Sequence, residues 1–294
     1  MALSRRLLAV SLLFNLANYL AWSVIPARAA FGLGATAGEL GALPVLGGVT
    51  YILMSLRMGA ISDRYPRQAL ARIGIAGWVA FSLLAWRADS MVLLYAASVL
   101  DGASQAFVWP ALQAHVGDVS RGRNLERNLG TFSISWSLGK TVGFLLFGGI
   151  AFLLARSLED GAAAGTGTSS PEAAYFPWIL LGCGALAFAV LFLFPPPGPG
   201  RAPEEAAEEE EDHVAEERAR FRMAGWIANF AGFGLGATLV YHYAGALKGW
   251  GRPAWEGGAV VGTVYLAQTA SFHLLGRWTA WHWRGGPLLG AAAL

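Results

Sequence analysis

Two ionisable side chains, Asp101 and Lys140, stand deep inside otherwise apolar runs of this 294-residue chain. Each lies about ten to twelve residues from the nearer end of its run, which at ~1.5 Å per helical residue sets both near the middle of a bilayer. Charges at that depth are expensive unless they pair or act on something. As a pair they could recognise a solute or couple it to protons, because protonation of Asp101 would release Lys140. The alternative is a structural ion pair, although such pairs stabilise poorly compared with apolar packing.

The residues around these charges repeat coherently. Ser98, Asp101, Gln105 and Trp109 recur at three and four residues and share one helix face. The same spacing joins Ser11, Asn15, Asn18 and Trp22, and again Ser133, Trp136, Lys140 and Phe144. Later runs offer Asn229, Phe233, Gly236 and Tyr243, with His242 beside them, then Gln268 and His273. Any one stripe could be interhelical hydrogen bonding. Several together predict a shared cavity. Gly139 and Gly143 form a small-xxx-small pair that would admit a neighbouring helix closely.

The elements that must position these residues are membrane helices. The chain is 55% hydrophobic and 14% charged, with a mean hydropathy of +0.47, outside the range of a soluble domain. Runs of about 20 apolar residues predict helices at Leu7 to Ala30, Gly38 to Met58, Ala69 to Trp86, Met91 to His115, Asn128 to Ala155, Tyr175 to Phe194, Met223 to Leu247 and Gly257 to Leu275. A ninth begins at Gly285, which predicts a longer complete chain. The first run is too long for a signal-peptide core.

Alternating the loops across the membrane places fifteen arginines on the side of the N-terminus and five basic residues on the other. That asymmetry puts the N-terminus in the cytoplasm. Residues 195–222 combine a Pro/Gly run with nine of the nineteen acids, Glu204 to Glu217, and read as a cytoplasmic linker. The single Cys183 excludes a disulfide framework. Scattered histidines offer no metal site, and no phosphate-binding loop of the G-x-x-x-x-G-K-[ST] type is present.

One stretch carries a specific signature. Gly59, Ile61, Ser62, Asp63, Arg64 and Arg67 read as a short charged loop between the second and third helices. It resembles the major facilitator superfamily motif at that position, with Pro66 where a Gly is usual and Gln68 where a second base is usual. A second copy, aligned from Gly276, keeps Arg284 but lacks the acid. Lys140 stands where the family's antiporter signature has a Pro, and Ser98 where its fourth helix has an Arg, so neither role carries over.

The resemblance implies an all-α polytopic bundle with a six-helix N-terminal half at 1–194, the linker at 195–222 and an incomplete C-terminal half at 223–294. It implies a secondary transporter of the inner membrane that moves a small solute by alternating access, with proton coupling an option, no cofactor, no metal, no nucleic acid, and a monomeric state when full length. Gly59, Asp63, Arg64 and Arg67 would form a cytoplasmic gate. Asn15, Asn18, Trp22, Asp101, Gln105, Trp109, Trp136, Lys140, Asn229, Tyr243 and Gln268 would face the substrate. The competing expectation is a non-transporting sensor or assembly protein that uses the acidic linker to bind a partner.

Overall fold

A computed structural model describes residues 4–120, 123–161, 174–194, 234 and 236–277, and every regular element among them is a helix. α1 (Arg5–Ala27) runs on as a π-helical turn, Arg28–Gly32. α2 (Ala37–Arg64), α3 (Arg67–Arg87), α4 (Met91–Asp118) and α5 (Arg123–Gly161) follow. α6 (Phe176–Val190) ends in a 3-10 turn at Leu191–Leu193. α7 is described over 236–249, and α8 covers Trp255–Arg277. The 195–222 linker, Asn229, Phe233 and the expected ninth helix lie outside the described residues.

α1 to α5 and α8 overrun the apolar runs that announce them, whereas α6 and its 3-10 turn stay within theirs. Hydropathy marks only the part that needs lipid, whereas backbone hydrogen bonding continues through charged end turns. α2 therefore extends to Arg64, and the stretch expected as a loop from Gly59 to Arg67 is helical except at Tyr65 and Pro66. Tyr65 is extended at φ −117°, ψ 151°, the conformation that a following proline imposes. Pro66 N-caps α3, and its carbonyl accepts from the backbone N–H of Ala69 and Leu70 at 2.9 and 3.2 Å.

The α1–α2 turn is similarly determined. Pro26 removes an amide from the last turns of α1, and the π-helical segment begins two residues later. Gly34 takes φ +69°, open to glycine at no steric cost. Thr36 and Glu39 then close a capping box, with the Thr36 amide donating to the Glu39 carboxylate at 2.8 Å.

Among the described residues six helices are long and apolar enough to cross a membrane: Arg5–Gly32, Ala37–Met58, Arg67–Arg87, Met91–Asp118, Arg127–Ser157 and Phe176–Leu193. The eighth predicted span, α8, has the length, but its polar content, including Glu256, Gln268 and Thr269, keeps it below that apolarity. α2 presents Val45, Val49, Ile52, Leu53 and Leu56 outward at helical spacing, a face suited to lipid.

α1 packs on α5 and α6, α5 on α8, α3 on α4 and α6, and α2 on α4. Several crossings bring backbones together at glycine. A Cβ on Gly102 would strike the Gly47 backbone, one on Gly139 that of Leu12, and one on Gly258 that of Gly148. Gly143 meets the Leu16 carbonyl in the same way, so the Gly139 and Gly143 pair seats α1 on α5 as the sequence predicts. Phe14, Trp78, Phe144, Phe147 and Phe176 fill the interior, and Cys183 is buried within α6.

Candidate functional site

On the α1–α4 side, side-chain amides and indoles converge on two oxygen-bearing groups. Asn18 Oδ1 accepts from Trp78 Nε1 at 3.0 Å and from Gln105 Nε2 at 2.6 Å. Gln105 Nε2 also donates to Asp101 Oδ1 at 3.2 Å, and Trp22 Nε1 donates to Asp101 Oδ2 at 3.3 Å. The 3–4 spacing along α1 and α4 produces this geometry by stacking each helix's polar residues toward the other. Gln105 Oε1, Asn15 Oδ1 and Ser11 Oγ are buried with no hydrogen-bond partner.

Lys140 is held differently. Its Nζ lies 3.5 Å from the centroid of the Tyr265 ring, 4.9 Å from Tyr19 and 5.8 Å from Trp136. These rings come from α8, α1 and α5, and Phe144 stacks on Tyr265 at 5.0 Å with an interplanar angle of 13°. The ammonium is thus surrounded by π-faces, each contributing about 0.5–2 kcal/mol of attraction. No ion pair joins it to Asp101. α4 and α5 are consecutive, but α5 packs mainly on α1 and α8; Trp22, which bonds Asp101, and Tyr19, which faces Lys140, are themselves in contact with ring centroids 5.6 Å apart.

The predicted residues divide accordingly. Asn18, Trp22, Asp101 and Gln105 meet in the α1–α4 network, Asn15 donates to the Ser11 carbonyl of its own helix and lies against Gly139 of α5, and Lys140 and Trp136 form part of the aromatic enclosure. Trp109 bridges the two regions, 6.3 Å from Phe14 and 6.5 Å from Trp136. Gln268 is half-buried on α8, its Oε1 without a partner, and the adjacent Thr269 bonds Ser137 at 2.6 Å and Thr141 at 2.9 Å. Tyr243 sits apart from Asp101. It lines a small apolar crevice among α1, α5, α7 and α8, with Ser23, Phe31 and Leu247. His242 and His273 are exposed.

Three tyrosines escape the polar-stripe reasoning. Tyr19 and Tyr265 enclose Lys140, and Tyr241, not Tyr243, reaches inward to Trp22, with ring centroids 6.0 Å apart. Tyr19 stands four residues after Asn15, and Tyr265 three before Gln268, so the spacing was available to find both.

At the end of the bundle bearing the N-terminus, Arg67 pairs with Asp118 of α4 at 2.8 Å. Arg64 is exposed, and the side chains of Gly59 and Asp63 lie outside the described residues. At the opposite end Arg28 reaches across to the C-terminus of α3, donating to the carbonyls of Ala85 at 2.9 Å and Trp86 at 3.1 Å and to that of Ala88. Two residues on, the Ala30 carbonyl accepts from Lys248 Nζ of α7 at 2.6 Å.

No curated protein matches the chain. Among solved structures it is similar to a bacterial homologue of the human lysosomal transporter Spinster, in an inward-facing and unoccupied conformation, with a TM-score of 0.62 at 17% identity. The alignment covers 87% of this chain and 59% of that one, so the chain spans less than two thirds of the length of the protein it resembles. An inward-facing, occupied structure of a bacterial Spinster homologue aligns at a TM-score of 0.49 and 17% identity over 71% of this chain and 47% of that one. The major facilitator superfamily profile matches residues 7–294, and the chain belongs to that family.

Proposed function

We propose that this chain is the carrier, or the larger part of one, of a secondary active transporter that moves a small solute by alternating access. The observation that carries the reading is the buried polar core: Asp101, Gln105, Asn15 and Lys140 are at most 8% exposed, and the Gln105 Oε1 and Asn15 Oδ1 atoms have no hydrogen-bond partner. Family membership supports it, as does the likeness in fold to a homologue of a lysosomal transporter. In this reading the N-terminus is cytoplasmic, and 1–194 moves against the segment that begins at 223, with 195–222 between them. Arg67 and Asp118 belong to the cytoplasmic gate, and the Lys248 to Ala30 bond is one that an outward opening breaks.

The chain, reconstituted in liposomes, should exchange a labelled solute by counterflow. Asp101→Asn should slow that exchange about tenfold, equivalent to ~1.4 kcal/mol, and flatten its dependence on pH. Counterflow no faster than in empty liposomes, across amino acids, sugars and organic ions, would overturn the reading. Full activity and an unchanged pH profile in Asp101→Asn would remove the carboxylate from the mechanism.

A further inference from the structure

We propose that the solute taken by this site is a zwitterion, with its cationic group seated at Asp101 and its anionic group at Lys140. The inference rests on the carrier reading only in calling the ligand a transported solute; the site itself stands on geometry.

Asp101 and Lys140 are each only 8% exposed, carry opposite charge and do not pair with each other. Among the described residues no basic side chain pairs with Asp101, and no acidic one with Lys140. Each instead has a neutral substitute. Asp101 receives long hydrogen bonds, 3.2 Å from Gln105 and 3.3 Å from Trp22, with the Trp78 indole also close to it, where charge-assisted bonds are usually about 2.7–2.9 Å. Lys140 has three N–H donors and meets only ring faces, none of which is an oxygen acceptor.

The unused atoms complement a doubly charged guest. Gln105 Oε1, on the amide already bonded to Asp101, is a buried acceptor without a donor, and an ammonium would supply one. A carboxylate or similar anion would supply the acceptor that Lys140 lacks. Asp101 bonds Trp22, Lys140 faces Tyr19, and these two rings touch each other, so a guest that meets both charges needs an apolar body between its own. A cation alone leaves Lys140 unpaired, an anion alone leaves Asp101, and a neutral solute leaves both. Because an unpaired buried charge is strongly penalised, selectivity follows from the wrong ligand as much as from the right one. A zwitterion satisfies both charges and adds no net charge to the membrane interior.

A matched series tests this: 6-aminohexanoate, hexylamine and hexanoate, titrated into the full chain in nanodiscs and followed by tryptophan fluorescence, since Trp22 and Trp136 adjoin the two charges. The zwitterion should bind at least about tenfold more tightly than either singly charged analogue. Asp101→Asn should reduce it to the affinity of hexanoate, and Lys140→Met to that of hexylamine. Asp101→Glu and Lys140→Arg should keep the wild-type ranking. If a singly charged analogue binds the wild type as well as the zwitterion, or none of the three binds saturably, the proposal is wrong, whatever the variants do. Counterflow of the same compounds separates the two readings. The predicted ranking without counterflow would leave the zwitterion site standing and remove the carrier; counterflow of hexanoate or hexylamine as fast as that of the zwitterion would do the reverse.

Discussion

The carboxylate of Asp101 and the ammonium of Lys140 pose the same problem at similar depth, and the chain solves it in two ways. Asp101 is held by directional N–H groups from α1 and α4, so its position is fixed by hydrogen-bond geometry. Lys140 is held by ring faces from α1, α5 and α8, which attract a cation without fixing its direction. The backbone arrangement nevertheless repeats. Each charge adjoins a glycine that admits another helix, Gly102 beside Asp101 for α2 and Gly139 beside Lys140 for α1. Close helix approach and buried charge are therefore installed together, and the two sites differ only in what the incoming side chains offer.

The most damaging way to break the comparison is at those glycines. Gly139→Val should cost about 3 kcal/mol or more, because the new atoms meet the Leu12 backbone rather than a side chain that can swing away. Thermal unfolding in detergent would read it, and Gly130→Val, which meets nothing within 4 Å, is the control.

Removing the charges should then separate the two solutions. Asp101→Leu leaves Trp22 Nε1 without this acceptor and should destabilise by about 2 kcal/mol. Lys140→Met strands no directional partner and should leave stability within about 0.5 kcal/mol of wild type, or raise it. Equal losses would show that the aromatic enclosure is as structural as the hydrogen-bond network.

A smaller effect sharpens the Lys140 side alone. Tyr265→Leu should cost about 1 kcal/mol when Lys140 is present and less in the Lys140→Met background, a coupling that a double-mutant cycle isolates. The smallest change belongs to the end of the bundle that bears the N-terminus. Arg67 and Asp118 are 24% and 29% exposed, so Arg67→Gln should cost under about 1 kcal/mol while altering exchange rates more than stability.

The same contrast explains what the sequence makes legible. Asn18, Trp22, Asp101 and Gln105 announce themselves because polar residues at helical spacing in an apolar run are costly and must face one another. The pairing of Asp101 with Lys140 is a different kind of expectation. Residue counting gives depth, and both do lie deep in their helices. It does not give azimuth, and a short connection between α4 and α5 does not make them principal neighbours; α1 and α8 take that place. Tyr241 is silent because an aromatic ring in an apolar helix is equally at home against lipid, in the core or over a cation, and the helical spacing that joins Tyr19 to Asn15 and Tyr265 to Gln268 places those rings on a polar face without saying that they meet a cation. Helix ends are hidden for a related reason. Hydropathy falls at Met58, yet α2 continues to Arg64 until Pro66 stops it.

Cys183 has a practical consequence of its own. It is the chain's one thiol, 1% exposed within α6, and closed to a maleimide or a spin label while the bundle is folded. Cysteines introduced in pairs, one near Ala30 on α1 and one near Lys248 on α7, would carry probes against a silent background. The native sequence is thus ready for distance measurements between those helices, with no thiol to engineer away first.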